Sequence, residues 1–151
     1  RSSDLLYTVL PKKTNQSSQT NSVTLRPIPR DIPTGENISP ASLSIETEHD
    51  HYPLSTTEVK ITITNHSHYE YECGEKYSLA YYNKSKRQWE TLPTDPVVND
   101  ILWIFPPEHP SHQQTIKLYT SESPNHPGKY RIYKSFNRGT KVAYGEFELL
   151  P

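Results

Sequence analysis

The sequence predicts an all-β fold in which two antiparallel sheets pack face to face. From about residue 41 onward, apolar and polar side chains alternate with a period of two, as in half-buried strands. The 151 residues include 14 prolines and 11 tyrosines, and only 32% are hydrophobic, which favours thin strands and many turns. Apolar residues with the spacing of an amphipathic helix are scarce. We therefore predict no helical domain.

Seven or eight strands are expected between residues 41 and 151. The segments are 42–47, 58–64, one long strand over 69–82 with a bulge at Gly74, 88–92, 100–105, 113–119, and a final hairpin that follows the Pro127-Gly128 turn. This number of strands in about 110 residues is that of an immunoglobulin-like antiparallel β-sandwich. Two facing sheets would bury Ile45, Val59, Ile61, Ile63, Leu79, Trp89, Trp103, Leu118, Tyr130, Ile132 and Phe147.

The first forty residues have a different composition. A short apolar patch, Leu5–Leu10, is followed by a polar stretch and by the proline-alternating segment 26–33, which favours an extended path. We predict that residues 1–40 form an extended linker, and that residues 41–151 form the domain. The alternative is that Leu5–Leu10 or Val23–Ile28 adds a strand to a sheet edge.

Charge and composition exclude several classes of function. The net charge is −1 with a pI near 6.7, which gives no attraction to nucleic acid or to an anionic membrane. No apolar run is long enough to span a membrane. The single cysteine, Cys73, allows no internal disulfide. Because the sequence begins at Arg1 and contains no methionine, we expect a processed or truncated product. The composition, rich in Thr, Asn, Ser and Tyr and poor in cysteine, favours an exported protein at the cell surface or in the periplasm, with a lipid anchor upstream of Arg1 as one means of attachment.

The candidate chemical groups give no catalytic site. Two His-x-His pairs, His49 with His51 and His66 with His68, flank one predicted strand and are therefore too far apart to share a metal ion. A small metal-binding protein that uses these turn histidines remains an alternative. Cys73 lies in a predicted strand, where a thiol usually acts as a small apolar side chain. We expect no enzyme activity, no catalytic or metal-ligating residues and no cofactor.

Tyrosines crowd the predicted strands, and alternation requires some of them to face solvent. Exposed tyrosines can bind sugars or a protein partner, although cross-strand aromatic pairs that only stiffen a sheet are more common. The residues expected to form a recognition surface are Tyr69, Tyr71, Tyr82 and Tyr133.

Several pieces of the sequence, in their order and spacing, resemble the bacterial immunoglobulin-like domains of exported and lipid-anchored surface proteins. These pieces are Val59–Ser67, Gly74–Leu79, Trp89 with Leu92-Pro93, Pro106-Pro107, Pro127–Ile132 and Gly145–Glu148. The resemblance covers about residues 41–151, with Cys73 where an aromatic is expected and with no glycine after Pro106-Pro107. It implies no catalytic residues.

The function expected from this resemblance is a monomeric, non-catalytic binding, adhesion or spacer module. Its partner would be a protein or a surface polysaccharide. A carbohydrate-binding module attached to a secreted enzyme is the main alternative.

Overall fold

The structure is a computed structural model that describes residues 6–9, 26–96, 100–108 and 110–151, with the backbone alone for residues 6–9. The described residues form strands, turns and irregular segments, and no helix occurs among them. The all-β prediction is confirmed. The strands are β1 (Leu6–Val9), β2 (Ile28–Pro29), β3 (Glu36–Asn37), β4 (Leu43–Thr47), β5 (His51–Pro53), β6 (Glu58–Asn65), β7 (Tyr71–Cys73), β8 (Ser78–Asn83), β9 (Gln88–Thr94), β10 (Ile101–Phe105), β11 (Ser111–Lys117), β12 (Gly128–Phe136) and β13 (Lys141–Leu150).

Eight of these strands, β4, β6 and β8 to β13, have five residues or more, which agrees with the predicted number. One sheet has the order β11-β6-β4, and the larger sheet has the order β2-β9-β8-β12-β13-β3 with β5 also on β13. A third, small sheet has the order β1-β10-β7. Pairing is antiparallel throughout except where β3 and β5 run parallel to β13. The described residues include no helix that is long and apolar enough to cross a membrane.

The sheet β11-β6-β4 and the larger sheet share one buried core. Alternate residues of β6 face it from one side, and alternate residues of β12 face it from the other. Of the eleven side chains predicted to be buried, nine are buried: Ile45, Val59, Ile61, Ile63, Leu79, Leu118, Tyr130, Ile132 and Phe147. The prediction is wrong for two, because Trp103 is only partly buried against this core and Trp89 lies on the other side of its sheet.

Two tyrosines hold the turn before β12. The hydroxyl of Tyr130 accepts a hydrogen bond from the amide of His126 at 2.9 Å and donates to its carbonyl at 3.1 Å. The hydroxyl of Tyr81 donates to the carbonyl of Pro127 at 2.9 Å. A tyrosine near the start of this strand that bonds back to the backbone is a known feature of immunoglobulin-like sandwiches.

The segment from Tyr69 to Tyr82 is not one bulged strand, and that prediction is wrong. It forms β7, which pairs with β10, and β8, which pairs with β12 and β9. The chain changes sheets at Gly74, whose carbonyl accepts a hydrogen bond from the Lys134 Nζ atom at 2.7 Å. The same Nζ atom lies 2.8 Å from the Gln114 Oε1 atom of β11, so that one buried lysine joins three parts of the fold.

The described parts of the first forty residues contribute short strands. β1 pairs antiparallel with β10, with Leu6 opposite Ile104 and Val9 opposite Ile101. β2 pairs with the end of β9, and β3 pairs with the start of β13. Residues 1–5 and 10–25, and their part in the linker prediction, lie outside the described residues. The domain boundary at residue 40 stays a prediction.

Candidate functional site

The outer face of the larger sheet carries a cluster of aromatic side chains around one arginine. On β12, Tyr130 and Ile132 are buried in the core, so Arg131 and Tyr133 project from the opposite face. The strand register places Glu146 beside Arg131, and Tyr144 beside Tyr133. On β8 and β9, Tyr82 is opposite Trp89. We call Tyr82, Trp89, Arg131, Tyr133 and Tyr144 the outer patch.

Arg131 is the centre of the outer patch. Its guanidinium carbon lies 4.2 Å from the ring centroid of Trp89 and 4.1 Å from that of Tyr144. Both distances are within the range of cation–π contacts. The Nε atom donates to the Glu146 Oε2 atom at 2.7 Å, and the Nη1 atom donates to the Tyr133 hydroxyl at 3.2 Å. Partial burial acts to lower the pKa of Arg131, but the hydrogen bonds to Tyr133 and Glu146 outweigh it and raise the pKa. The guanidinium is therefore charged and fixed in orientation.

The aromatic rings continue the patch on both sides of Arg131. The ring centroids of Tyr82 and Trp89 are 5.1 Å apart, and those of Tyr133 and Tyr144 are 5.5 Å apart. Tyr144 is 41% exposed, while Tyr82 and Trp89 are half-buried. Solvent reaches ring surface here, although the rings are held in place by their neighbours.

The structure brings together two of the four tyrosines that were predicted to form a recognition surface. Tyr82 and Tyr133 belong to the outer patch, whereas Tyr69 is 71% exposed in the turn after β6. Tyr71 is buried on β7, with its ring centroid 6.1 Å from that of Phe136. The expectation that Tyr71 faces solvent is wrong, because alternation along β7 turns Glu72 outward instead.

Tyr133 is also less accessible than expected. It projects from the outer face, but it is only 6% exposed because it packs with Ala80 and Val142 in a small second cluster. Ile32 and Trp89 pack against the same cluster. The Tyr133 hydroxyl is therefore a support for Arg131, and its ring offers little contact surface.

Sequence reasoning missed three residues of the outer patch: Trp89, Arg131 and Tyr144. Alternation alone places Arg131 outward, next to buried Tyr130 and Ile132. The sequence predicts Trp89 in the core, whereas the structure places it opposite Tyr82 on the outer face. Tyr144, Arg131 and Trp89 lie in three successive rows of the sheet and meet diagonally. That register depends on strand pairing, which a single sequence does not specify.

Three of the histidines contact three different side chains. His51 lies 3.5 Å from the carboxylate of Glu148, and His68 lies 3.2 Å from that of Glu108. The His66 ring lies 2.9 Å from the Ser44 hydroxyl. Within the described ranges, no group of three or more histidine, cysteine, aspartate or glutamate side chains could hold a metal ion. The absence of a cofactor stays a prediction.

Cys73 is 4% exposed on β7 and behaves as a core residue. Burial raises the pKa of its thiol above the ordinary value, with Lys134 opposing that shift. A thiol in this environment is a poor nucleophile at neutral pH. The interpretation of Cys73 as a small apolar side chain is confirmed.

Comparison with known protein families identifies the fold. A model of the bacterial Ig-like domain matches residues 39–148, which is most of the chain. The chain belongs to the bacterial Ig-like domain family. The resemblance found in the sequence is confirmed, and so is the immunoglobulin-like sandwich. Among proteins of curated function, none matches this Ig-like domain.

Similar solved structures come from several kinds of protein. An alkylpurine DNA glycosylase from Pseudomonas fluorescens is 13% identical with a TM-score of 0.36, over 74% of this chain and 31% of that chain. A β-glucosidase from Listeria innocua is 14% identical with a TM-score of 0.38, over 72% of this chain and 16% of that chain. A CARDB domain from Pyrococcus furiosus with bound di-metal ions is 13% identical with a TM-score of 0.33, over 87% of this chain and 100% of that chain. This Ig-like domain thus spans less than a third of the length of the two enzymes.

Proposed function

We propose that this bacterial Ig-like domain is a non-catalytic recognition module of an exported bacterial surface protein, and that the outer patch is its contact surface. The family supports a non-catalytic module. The observation that carries the choice of surface is the position of Arg131 between the rings of Trp89 and Tyr144.

The composition and rigidity of the outer patch suit recognition. Tryptophan, tyrosine and arginine are the residues that most often dominate the binding energy of protein interfaces. Here they are held in one orientation, so that binding would cost little side-chain entropy. Arg131, between two aromatic rings, keeps part of its guanidinium open to solvent for contact with a partner.

Carbohydrate binding is a second candidate for the same surface. The partly exposed Tyr144 ring could stack on a sugar, as aromatic rings at recognition surfaces do. Retardation in an affinity gel that contains polysaccharide, lost in Tyr82→Ala and Trp89→Ala but retained in Tyr69→Ala, would support it. Because Tyr133 is buried, Tyr133→Ala would test the stability of the sheet rather than sugar binding.

The same proposal includes the location and state of the protein. The domain would act as a monomer at the cell surface or in the periplasm, with a lipid-attachment cysteine upstream of Arg1 as one means of attachment. Processing of the full precursor that globomycin inhibits would support the lipid anchor. Processing that globomycin does not affect would contradict it.

Photo-crosslinking in the producing cells tests the contact surface. A photoreactive amino acid at Thr91, which is exposed in the row of the outer face that contains Arg131, should crosslink to one discrete partner. The same amino acid at Lys60, exposed on the opposite sheet, is the matched control. We expect the crosslink from position 91 alone, and we expect Trp89→Ala to remove it. Identical products from both positions, or none from position 91, would overturn the proposal.

A further inference from the structure

Strand β11 forms one edge of the sheet β11-β6-β4, and some of its backbone groups bond to no neighbouring strand. The amide of Asn65 donates to the carbonyl of Pro110 at 3.2 Å, and the amide of Leu118 donates to the carbonyl of Thr57 at 2.8 Å. In an antiparallel pair, alternate residues bond to the partner strand. Even-numbered residues of this strand therefore bond to β6, and the N–H and C=O groups of odd-numbered residues point away from it.

One of these outward positions has a side-chain partner. The hydroxyl of Tyr77 lies 3.3 Å from the amide nitrogen of Lys117 and 3.4 Å from its carbonyl oxygen, which confirms the direction in which the odd-numbered groups point. The backbone groups of Gln113 and Thr115 have no hydrogen-bond partner among the residues that the structure describes. They offer two donors and two acceptors along one open strand edge.

An acidic pocket of about 440 Å³ lies along the same edge. Its lining includes three carboxylates, Glu58, Glu75 and Asp95, and one lysine, Lys117. None of these carboxylates forms an ion pair in the described part of the chain. The excess of negative charge favours a positively charged occupant.

An aromatic wall completes the pocket. Trp103 of β10 lines it, and the Trp103 ring is stacked on His112 of β11 with ring centroids 3.6 Å apart and planes 27° apart. Burial and the nearby Lys134 lower the pKa of His112 to about 4, so the ring is neutral at pH 7 and does not offset the carboxylates. Trp103 and His112 thus add an aromatic side to the lining of the pocket.

We propose that the β11 edge binds an extended peptide segment by strand addition, and that an arginine or lysine side chain of that peptide enters the acidic pocket. Strand addition uses main-chain hydrogen bonds for affinity and side-chain pockets for specificity. The outward backbone groups of Gln113 and Thr115 supply the main-chain hydrogen bonds, and the acidic pocket supplies the specificity. This surface is separate from the outer patch, so it goes beyond the recognition role proposed above.

Synthetic peptides test the proposal by isothermal titration and by intrinsic tryptophan fluorescence. The probe is a seven-residue peptide of alternating threonine and valine with a central arginine. One comparison peptide carries citrulline at the centre, which keeps the shape but removes the charge. A second carries N-methyl groups at alternating backbone positions, which block strand pairing.

We expect the arginine peptide to bind, and each comparison peptide to bind at least about tenfold more weakly. In the protein, Thr115→Pro should abolish binding because it removes an outward donor, whereas Thr115→Val should not. Proline at such a position of an edge strand leaves the pairing with β6 intact. Asp95→Asn should weaken binding of the arginine peptide but not of the citrulline peptide. Trp89→Ala, on the outer patch, should leave binding of the arginine peptide unchanged.

The proposal is wrong if no peptide binds at millimolar concentration, or if Thr115→Pro and N-methylation leave binding intact. Concentration-dependent dimerisation that Thr115→Pro abolishes, without peptide binding, would assign the edge to a second copy of the chain and would also overturn it. Thermal unfolding of each variant separates loss of binding from loss of fold. Failure here would leave the crosslinking result from Thr91 unaffected.

Discussion

Arg131 and Lys134 lie three positions apart on β12 and project from opposite faces of the same sheet. The Arg131 guanidinium lies between Trp89 and Tyr144 on the outer face. The Lys134 ammonium group is buried in the core, where it donates to the carbonyl of Gly74 and to Gln114. Arg131 organises the outer patch and Lys134 joins the two sheets, so substitutions at the two positions should have different consequences.

Arg131→Lys should reduce the stability of the sheet by about 1 kcal/mol, because an ammonium group cannot stack on two rings and bond to Tyr133 as a planar guanidinium does. The Trp89 fluorescence should change at the same time. Urea unfolding followed by fluorescence measures both effects. Lys129→Arg, at an exposed position of the same strand, is the control, and equal unfolding midpoints for the two variants would contradict this expectation.

Lys134→Met should lower the free energy of unfolding by about 1–3 kcal/mol, although methionine is more apolar than lysine. The substitution leaves the Gly74 carbonyl and the Gln114 side-chain oxygen without their donor inside the core. Urea denaturation measures the loss. The exposed control Lys129→Met should change stability by less than about 0.5 kcal/mol. A more stable Lys134→Met variant would show that burial of the charge costs more than its hydrogen bonds return.

Acid should destabilise the domain through His112. Burial, with a smaller effect of Lys134, lowers the pKa of His112 from 6.5 to about 4 in the folded state. Between these two values the unfolded chain binds a proton at this residue and the folded chain does not, so stability falls as the pH falls from 6.5 to 4. Urea midpoints at pH 7 and pH 5 should differ less in His112→Gln than in the wild type. His51→Gln, at an exposed histidine, should keep the wild-type difference, and an unchanged difference in His112→Gln would exclude this cause.

Gly145→Ala should destabilise the domain by about 1–3 kcal/mol because two strands approach each other closely at this residue. A Cβ atom on Gly145 would lie 2.6 Å from the carbonyl oxygen of Ile45, which is backbone and must shift as a unit. At Gly74 the nearest atom, the carbonyl oxygen of Ile101, would be 3.5 Å away, so Gly74→Ala should be neutral or slightly stabilising. Thermal unfolding measures the stability of both variants. Similar unfolding midpoints for Gly145→Ala and Gly74→Ala would contradict this prediction.

The sequence predicts the strands well because their alternation is local. The period of two from Val59 to Ile63 specifies which face of β6 enters the core, and the Pro127-Gly128 turn marks the start of β12. These features need no knowledge of the partner strand. The class of fold and most of the core follow from them.

Features that depend on pairing could not be predicted from the sequence. The chain changes sheets at Gly74, where the carbonyl accepts a hydrogen bond from Lys134, sixty residues away. Trp89 is paired with Tyr82 and contacts Arg131 on the outer face, which composition does not indicate. Tyr133 alternates outward as expected, but neighbouring strands cover its ring. For the same reason, the candidate site could be placed on a sheet face but not assigned to its correct residues.

Hydroxyl-radical footprinting of the protein on its own cells, compared with the purified protein, tests the recognition role of the outer patch most directly. Tyr82, Trp89 and Tyr144 should be oxidised more slowly on the cells than in the purified protein. Tyr69, which is exposed elsewhere on the domain, should react equally in both. Equal oxidation of Trp89 and Tyr144 in the two preparations would contradict the proposal that the outer patch contacts a partner.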